Sequence, residues 1–166
     1  MPNYQKITAN LPDHLNTRIK TGFYQHMNDS DVRKTHLFDG RYENIYLNDK
    51  HIPELSSLID EAIQHAQNIL AVKDLRAGYW FNYMPPESTT TLHTHDDDDE
   101  FLSAVYYVEV PENSGNLIIY QDSKKIEVRP EIGDFIFFKP DVQHEVGRNN
   151  SLEHRLSIGI NFGVNK

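Results

Sequence analysis

A chain of 166 residues with 38% hydrophobic residues and no cysteine is long enough to bury one core without disulfides, and it leaves any metal chemistry to histidines and carboxylates. Its formal charge of −9 is concentrated, because Asp96, Asp97, Asp98, Asp99 and Glu100 supply five of the negative charges and removing them leaves −4. No basic stripe is present to displace counterions from phosphates, which excludes nucleic acid as a partner, and no run approaches the ~20 apolar residues of a membrane span.

Two helices are expected in the first half. A weaker amphipathic segment near Leu15 to Met27 carries Leu15, Ile19 and Phe23 on one side. Leu37 to Leu47 reads as loop and short strand with a turn at Asp39-Gly40. From Pro53 to Leu70, apolar residues from Leu55 through Leu58, Ile59, Ala62, Ile63 and Ala66 to Leu70 recur at three- and four-residue spacing, one stripe of a helix. Pro53 suits the first helical turn, where a missing N–H costs nothing.

From Gly78 the texture changes to short aromatic and β-branched runs broken by turn signals. Eight strands are expected: Gly78 to Met84, Thr89 to His95, Phe101 to Val110, Asn116 to Gln121, Lys125 to Arg129, Asp134 to Phe138, Val142 to Gly147 and His154 to Phe162. Eight is the number a double-sheet jelly roll requires. The expected architecture is mainly β with N-terminal helices on one outer face, in one domain: residues 1–77 as helical support and 78–166 as a double-stranded β-helix core.

Side chains alternate across a strand, so His93, His95 and Asp97 share a face if Thr91 to Asp97 stays extended. The bland reading is a surface histidine pair beside a solvated acidic tip. His144, just past the apolar run Phe135 to Phe138, changes the balance, since a third ligand from a neighbouring strand closes a facial site. Two histidines and one carboxylate, His95, Asp97 and His144, form the open-faced set of non-heme Fe(II) oxygenases. His93, His95 and His144 would instead form a three-histidine face, and the residues leave both registers open.

Arg155, Ser157, Gly159 and Asn161 alternate with apolar residues, which turns one face of the last strand to a polar interior. An arginine there needs an anion, and a carboxylate held bidentately suits it; on an outer surface it would be an ordinary ion pair. On the Phe101 to Val108 strand, Tyr107 shares a face with Ser103 and Val105, while Tyr106 belongs to the greasier face.

Trp80-Phe81-Asn82, the histidine cluster, Leu102 to Val108, Pro111 to Leu117, Gly133 to Phe138, His144 and Arg155-Leu156-Ser157, in this order and spacing, resemble the iron(II)- and 2-oxoglutarate-dependent dioxygenases, in particular small bacterial and phage members related to prolyl hydroxylases. The resemblance covers about half the chain. It implies iron on His95, Asp97 and His144, with His93 and His95 matching the relatives that read His-x-His. It also implies 2-oxoglutarate on Arg155, Ser157 and Tyr107, with Tyr83 a weaker candidate. The implied reaction consumes O2, releases succinate and CO2, and hydroxylates a small molecule or a peptide residue.

A cupin is the rival, because His93, His95, Glu100 and His144 match that family's metal motifs in part; it gives Arg155 no task. A jelly-roll binding module without catalysis is the third reading. Met1 to Lys6 lacks the apolar stretch of a secretory signal, so a cytoplasmic protein is expected, and a free sheet edge could serve a homodimer.

Overall fold

The computed structural model describes residues 3–95 and 99–164. It opens with β1 (Gln5–Thr8), a short and mostly exposed edge strand whose sequence carries no alternation and announces nothing. In α1 (Asp13–His26), Ile19 and Phe23 are buried as expected.

The segment expected as loop and short strand is a full hairpin, β2 (Arg33–Phe38) and β3 (Arg41–Tyr46). Its turn is the expected Asp39-Gly40, with φ of 50° and 80°, the two positive angles of a type I′ hairpin. Leu37, Phe38 and Tyr42 are exposed, so neither strand shows the one-sided apolar pattern that marks a strand in sequence. In α2 (Leu55–Leu70), Leu55, Leu58, Ile59, Ala62 and Ala66 form the buried stripe. Pro53 lies ahead of the helix rather than in its first turn, and its carbonyl accepts the Ser56 N–H at 3.2 Å.

All eight expected strands form. They are β4 (Leu75–Met84), β5 (Thr90–His93), β6 (Glu100–Glu109), β7 (Leu117–Gln121), β8 (Lys124–Val128), β9 (Asp134–Phe138), β10 (Gln143–Val146) and β11 (Arg155–Val164). β5 ends at His93, earlier than expected, and His95 follows with its N–H donated to the Pro140 carbonyl at 2.7 Å.

The strands make two antiparallel sheets, one of seven in the order β1-β9-β6-β11-β4-β3-β2 and one of four in the order β5-β10-β7-β8. This is the double-stranded β-helix, with α1 and α2 outside it. The N-terminal segment is more than helical support, since β1, β2 and β3 extend the larger sheet.

Period-2 alternation divides the larger sheet between two cores. On β11, Leu156, Ile158, Ile160 and Phe162 face α1 and α2, as do Leu102, Ala104, Tyr106 and Val108 of β6 and Phe135 and Phe137 of β9. Tyr107, Ile136 and Phe138 face the other way and pack with Leu117, Ile119 and Val142 between the sheets. The polar residues of β11 point into that same interior, so the fold delivers them to one enclosed space.

Phe23 of α1 and Phe81 of β4 are fully buried with ring centroids 4.8 Å apart, and they pin the helix layer to the sheet. Phe81→Ala is expected to cost about 3–5 kcal/mol, measured as a lower urea midpoint with an unchanged m-value.

Candidate functional site

Three histidines converge at the open end of the jelly roll. His93 of β5 and His144 of β10 are cross-strand partners, so their side chains leave the sheet on the same face. His93, His95 and His144 offer ligand nitrogens that all lie within 4.8 Å of one another. His93 Nδ1–H donates to the Thr91 carbonyl at 2.6 Å and His144 Nδ1–H to the Val142 carbonyl at 2.9 Å. Each bond fixes the tautomer that leaves Nε2 with a free lone pair.

His144 Nε2 lies 3.2 Å from His95 Nε2. Two nitrogens bound at right angles to one metal, each at about 2.1 Å, are about 3 Å apart, so the pair is already spaced for adjacent ligation. Burial, with the neighbouring imidazoles His144 and His93 second, pushes His95 down to about 3. Burial and then His93 push His144 down to about 4, against the pull of the Val142 carbonyl. Both rings are therefore neutral at pH 7, the form that ligates a metal. Asp97 lies outside the described residues.

The histidines open onto a cavity of about 430 Å³ that Ser157, Gly159 and Asn161 of β11 also line. Arg155, next to Ser157 on the same inward face, is 1% exposed. Its Nη1 is 3.5 Å from Ser157 Oγ and 3.7 Å from Met84 Sδ, and its Cζ lies 5.4 Å from the Tyr107 ring centroid. Arg155 Nε and Nη2 and the Tyr107 hydroxyl are buried with no hydrogen-bond partner among the described residues. Burial lowers the guanidinium's affinity for its proton, with Tyr107 opposing the shift. It also pushes the Tyr107 phenol up to about 12, against the pull of Arg155. A buried cation and a buried O–H donor thus converge with no carboxylate paired to the guanidinium among the described residues, which is a receptor for an anion.

Arg155, Ser157 and Tyr107 are brought together as the sequence suggested, but Tyr83 is not among them. Arg155 pairs in register with Met84, and Leu156 with Tyr83, so Tyr83 shares the helix-facing side with Leu156. There it stacks on His154 at 4.9 Å and packs against Phe23 and Tyr24. One step of strand parity removes it from the cavity.

Beyond the β11 face, the sequence did not single out the cavity walls. Trp80 lies flat over Gly159, where an added Cβ would sit 2.5 Å from the indole, and its ring is 5.3 Å from that of His95. From the hairpin, His36, Glu43, Asn44 and Tyr46 line the same space.

A second grouping, Asp29, Asp31 and His51, pairs two exposed carboxylates with a half-buried histidine and is accounted for by hydrogen bonds. His51 Nε2–H donates to Asp31 at 3.0 Å while its Nδ1 accepts the Asn48 N–H at 3.2 Å. A metal on Nε2 would require the proton on Nδ1, where Asn48 already donates.

The profile of the 2OG-Fe(II) oxygenase superfamily matches residues 79–163, just over half the chain. No curated protein matches the sequence. Solved structures share the fold at low identity. A Pseudomonas putida prolyl-4-hydroxylase superposes with a TM-score of 0.72 at 19% identity, covering 97% of this chain and 92% of that one. The epimerase SnoN in complex with Fe3+ and alpha ketoglutarate gives 0.78 at 14%, covering 98% and 79%. A Trichoplax adhaerens prolyl hydroxylase in complex with a hypoxia inducible factor peptide fragment gives 0.71 at 16%, covering 98% and 84%.

The chain belongs to the 2OG-Fe(II) oxygenase superfamily. It is an oxidoreductase of the class whose cofactors are Fe(II) and 2-oxoglutarate. The rival cupin ligand set does not assemble, because Glu100 turns to Arg76 at 3.4 Å and stands outside the histidine cluster. No helix among the described residues is long and apolar enough to cross a membrane.

Trp80 is the chain's one tryptophan, so its emission reports on this site alone. Gly159→Ala is expected to displace the indole from β11 and change the emission maximum, while the far-ultraviolet circular dichroism stays that of the parent. An unaltered emission spectrum would contradict the close stacking.

Proposed function

We propose that the chain is a hydroxylase that holds Fe(II) through His95, Asp97 and His144, with His93 packed on the His144 ring, and anchors 2-oxoglutarate on Arg155, Ser157 and Tyr107. The observation that carries this reading is Arg155. It is a buried guanidinium whose Nε and Nη2 have no hydrogen-bond partner among the described residues, beside a cavity that His95 and His144 also line, and a cupin gives it no task.

The residues fit both cofactors. Neutral imidazoles with Nε2 directed at one another suit a divalent metal. Arg155, the Tyr107 hydroxyl and Ser157 Oγ form a donor set for a carboxylate. When bound, Fe(II) and 2-oxoglutarate supply an O2-driven oxidation in which the keto acid is decarboxylated to succinate and CO2 and one oxygen atom is left on a substrate C–H bond. The protein's part is to hold one open coordination face, to fix the co-substrate by its far carboxylate and to keep water out.

The cavity is of a size that takes a small molecule or one residue of a peptide. Peptide hydroxylation draws support from the prolyl hydroxylases among the chains that share the fold.

The test is anaerobic titration of 2-oxoglutarate into Fe(II)-loaded protein, reading the weak visible band of a chelated keto acid. A band is expected in the parent. Arg155→Ala is expected to need about thirtyfold more 2-oxoglutarate, the equivalent of about 2 kcal/mol for a buried charge pair broken on one side. His95→Ala, Asp97→Ala and His144→Ala are expected to abolish the band, and His93→Ala to retain it. The opposite result for Asp97 and His93 would move the third ligand to His93. No band with stoichiometric iron would overturn the reading.

A further inference from the structure

The strand that carries His93 is weakly held by its own ladder. β5 is four residues long and lies at the edge of the smaller sheet. Its pairing with β10 shifts register between the His144 and Val146 positions. Its outer edge is satisfied instead by a side chain from the other sheet. Glu43 of β3, 7% exposed, accepts the Thr91 N–H on Oε2 at 2.8 Å and the Thr91 hydroxyl on Oε1 at 2.7 Å.

Both carboxylate oxygens are thus spent on one residue, and the carbonyl of that residue receives His93 Nδ1–H. Two positions earlier on β3, Arg41 adds a second tie. Its Nη2 donates to the Thr89 carbonyl at 2.7 Å and Thr90 Oγ1 at 3.0 Å. Its Nη1 donates to Asn82 Oδ1 at 3.0 Å and the Tyr83 carbonyl at 3.1 Å. Arg41 Nη2 also stands 3.8 Å from Glu43 Oε2, so the two charges balance each other at low exposure.

We propose that Glu43 is a positioning residue for the metal site, acting through Thr91 to set the strand that carries His93 and leads into His95. Charge-assisted hydrogen bonds to an edge N–H do here what a neighbouring strand does elsewhere. They join the β2–β3 hairpin, itself a wall of the cavity, to the histidines. The inference rests on the metal assignment proposed above, and part of its test is independent of any metal.

Amide exchange in the metal-free protein, read residue by residue by NMR, is compared for the parent, Glu43→Ala and Glu43→Gln. Co(II) affinity is read in parallel by quenching of Trp80 emission. Glu43→Ala is expected to speed exchange across Thr91 to His95 with other strands unchanged and to weaken Co(II) binding about tenfold or more, as loss of a partner behind a ligand does. Glu43→Gln is expected to restore most of both, because its amide oxygen still accepts the Thr91 N–H and its NH₂ can donate to Thr91 Oγ.

Parent-like exchange in Glu43→Ala, or parent-like Co(II) affinity where the parent binds the ion, would overturn the proposal. If Glu43→Ala does not fold, Thr91→Val decides. Faster exchange and weaker binding support the clip, and parent-like values of both overturn it. A parent that binds no Co(II) sinks the metal assignment, while the exchange result still judges the clip.

Discussion

Strand β11 pairs along its length with β4 on one side and β6 on the other, so it has no freedom to slip. A one-residue shift would send Arg155 into the apolar layer under the helices and Leu156 into the polar interior. The larger sheet inherits its parity from this strand. Tyr107 is opposite Ser157 and looks inward, Tyr106 is opposite Ile158 and looks to the helices, and Tyr83 is opposite Leu156 and leaves the cavity. Site and core are two faces of one ladder, and the apolar face fixes the register that the polar face uses.

The polar face carries a cost. A guanidinium at 1% exposure has lost its hydration, and a buried charge without a counter-ion costs several kcal/mol. The surrounding sheet tolerates it because Leu156, Ile158 and the aromatic residues beneath supply burial that a single charge does not cancel. Such a group is stabilised when an anion arrives, so affinity for a carboxylate and relief of the protein's own unfavourable burial are one free-energy change. The histidines follow similar logic, since burial that keeps His95 and His144 neutral disfavours their protonated forms while leaving their lone pairs to a metal.

What was legible in the sequence follows from which faces are one-sided. β11 has one apolar face, the greasier face of β6 is plain, β9 is a continuous apolar run and α2 has a clear stripe, so their existence can be read from the sequence and the inward residues of β6 and β11 from alternation. Arg155, Ser157 and Tyr107 were legible for that reason. In β4, Tyr79, Phe81 and Tyr83 alternate with Trp80, Asn82 and Met84, and neither set is plainly the greasier. Parity there comes from the partner strand, so Tyr83 was misplaced and Trp80 passed over as a wall. The hairpin was illegible because both of its faces mix apolar and polar residues: Leu37 pairs with Tyr42, Phe38 pairs with Arg41, and all three apolar side chains are exposed. β1 is too short and exposed to carry a pattern at all.

The hairpin matters beyond the count of strands. A jelly roll defines a place for metal and co-substrate, but fold does not define what else is admitted. In this chain the third contribution to the cavity comes from β3, whose Asn44 and Tyr46 face the space while Arg41 and Glu43 grip β5. A molecule that presses on that wall presses on the same strand that ends at His93. A wall of the cavity and the strand that leads to the histidines therefore share one element, held across the gap between the sheets by a carboxylate and a guanidinium rather than by a ladder.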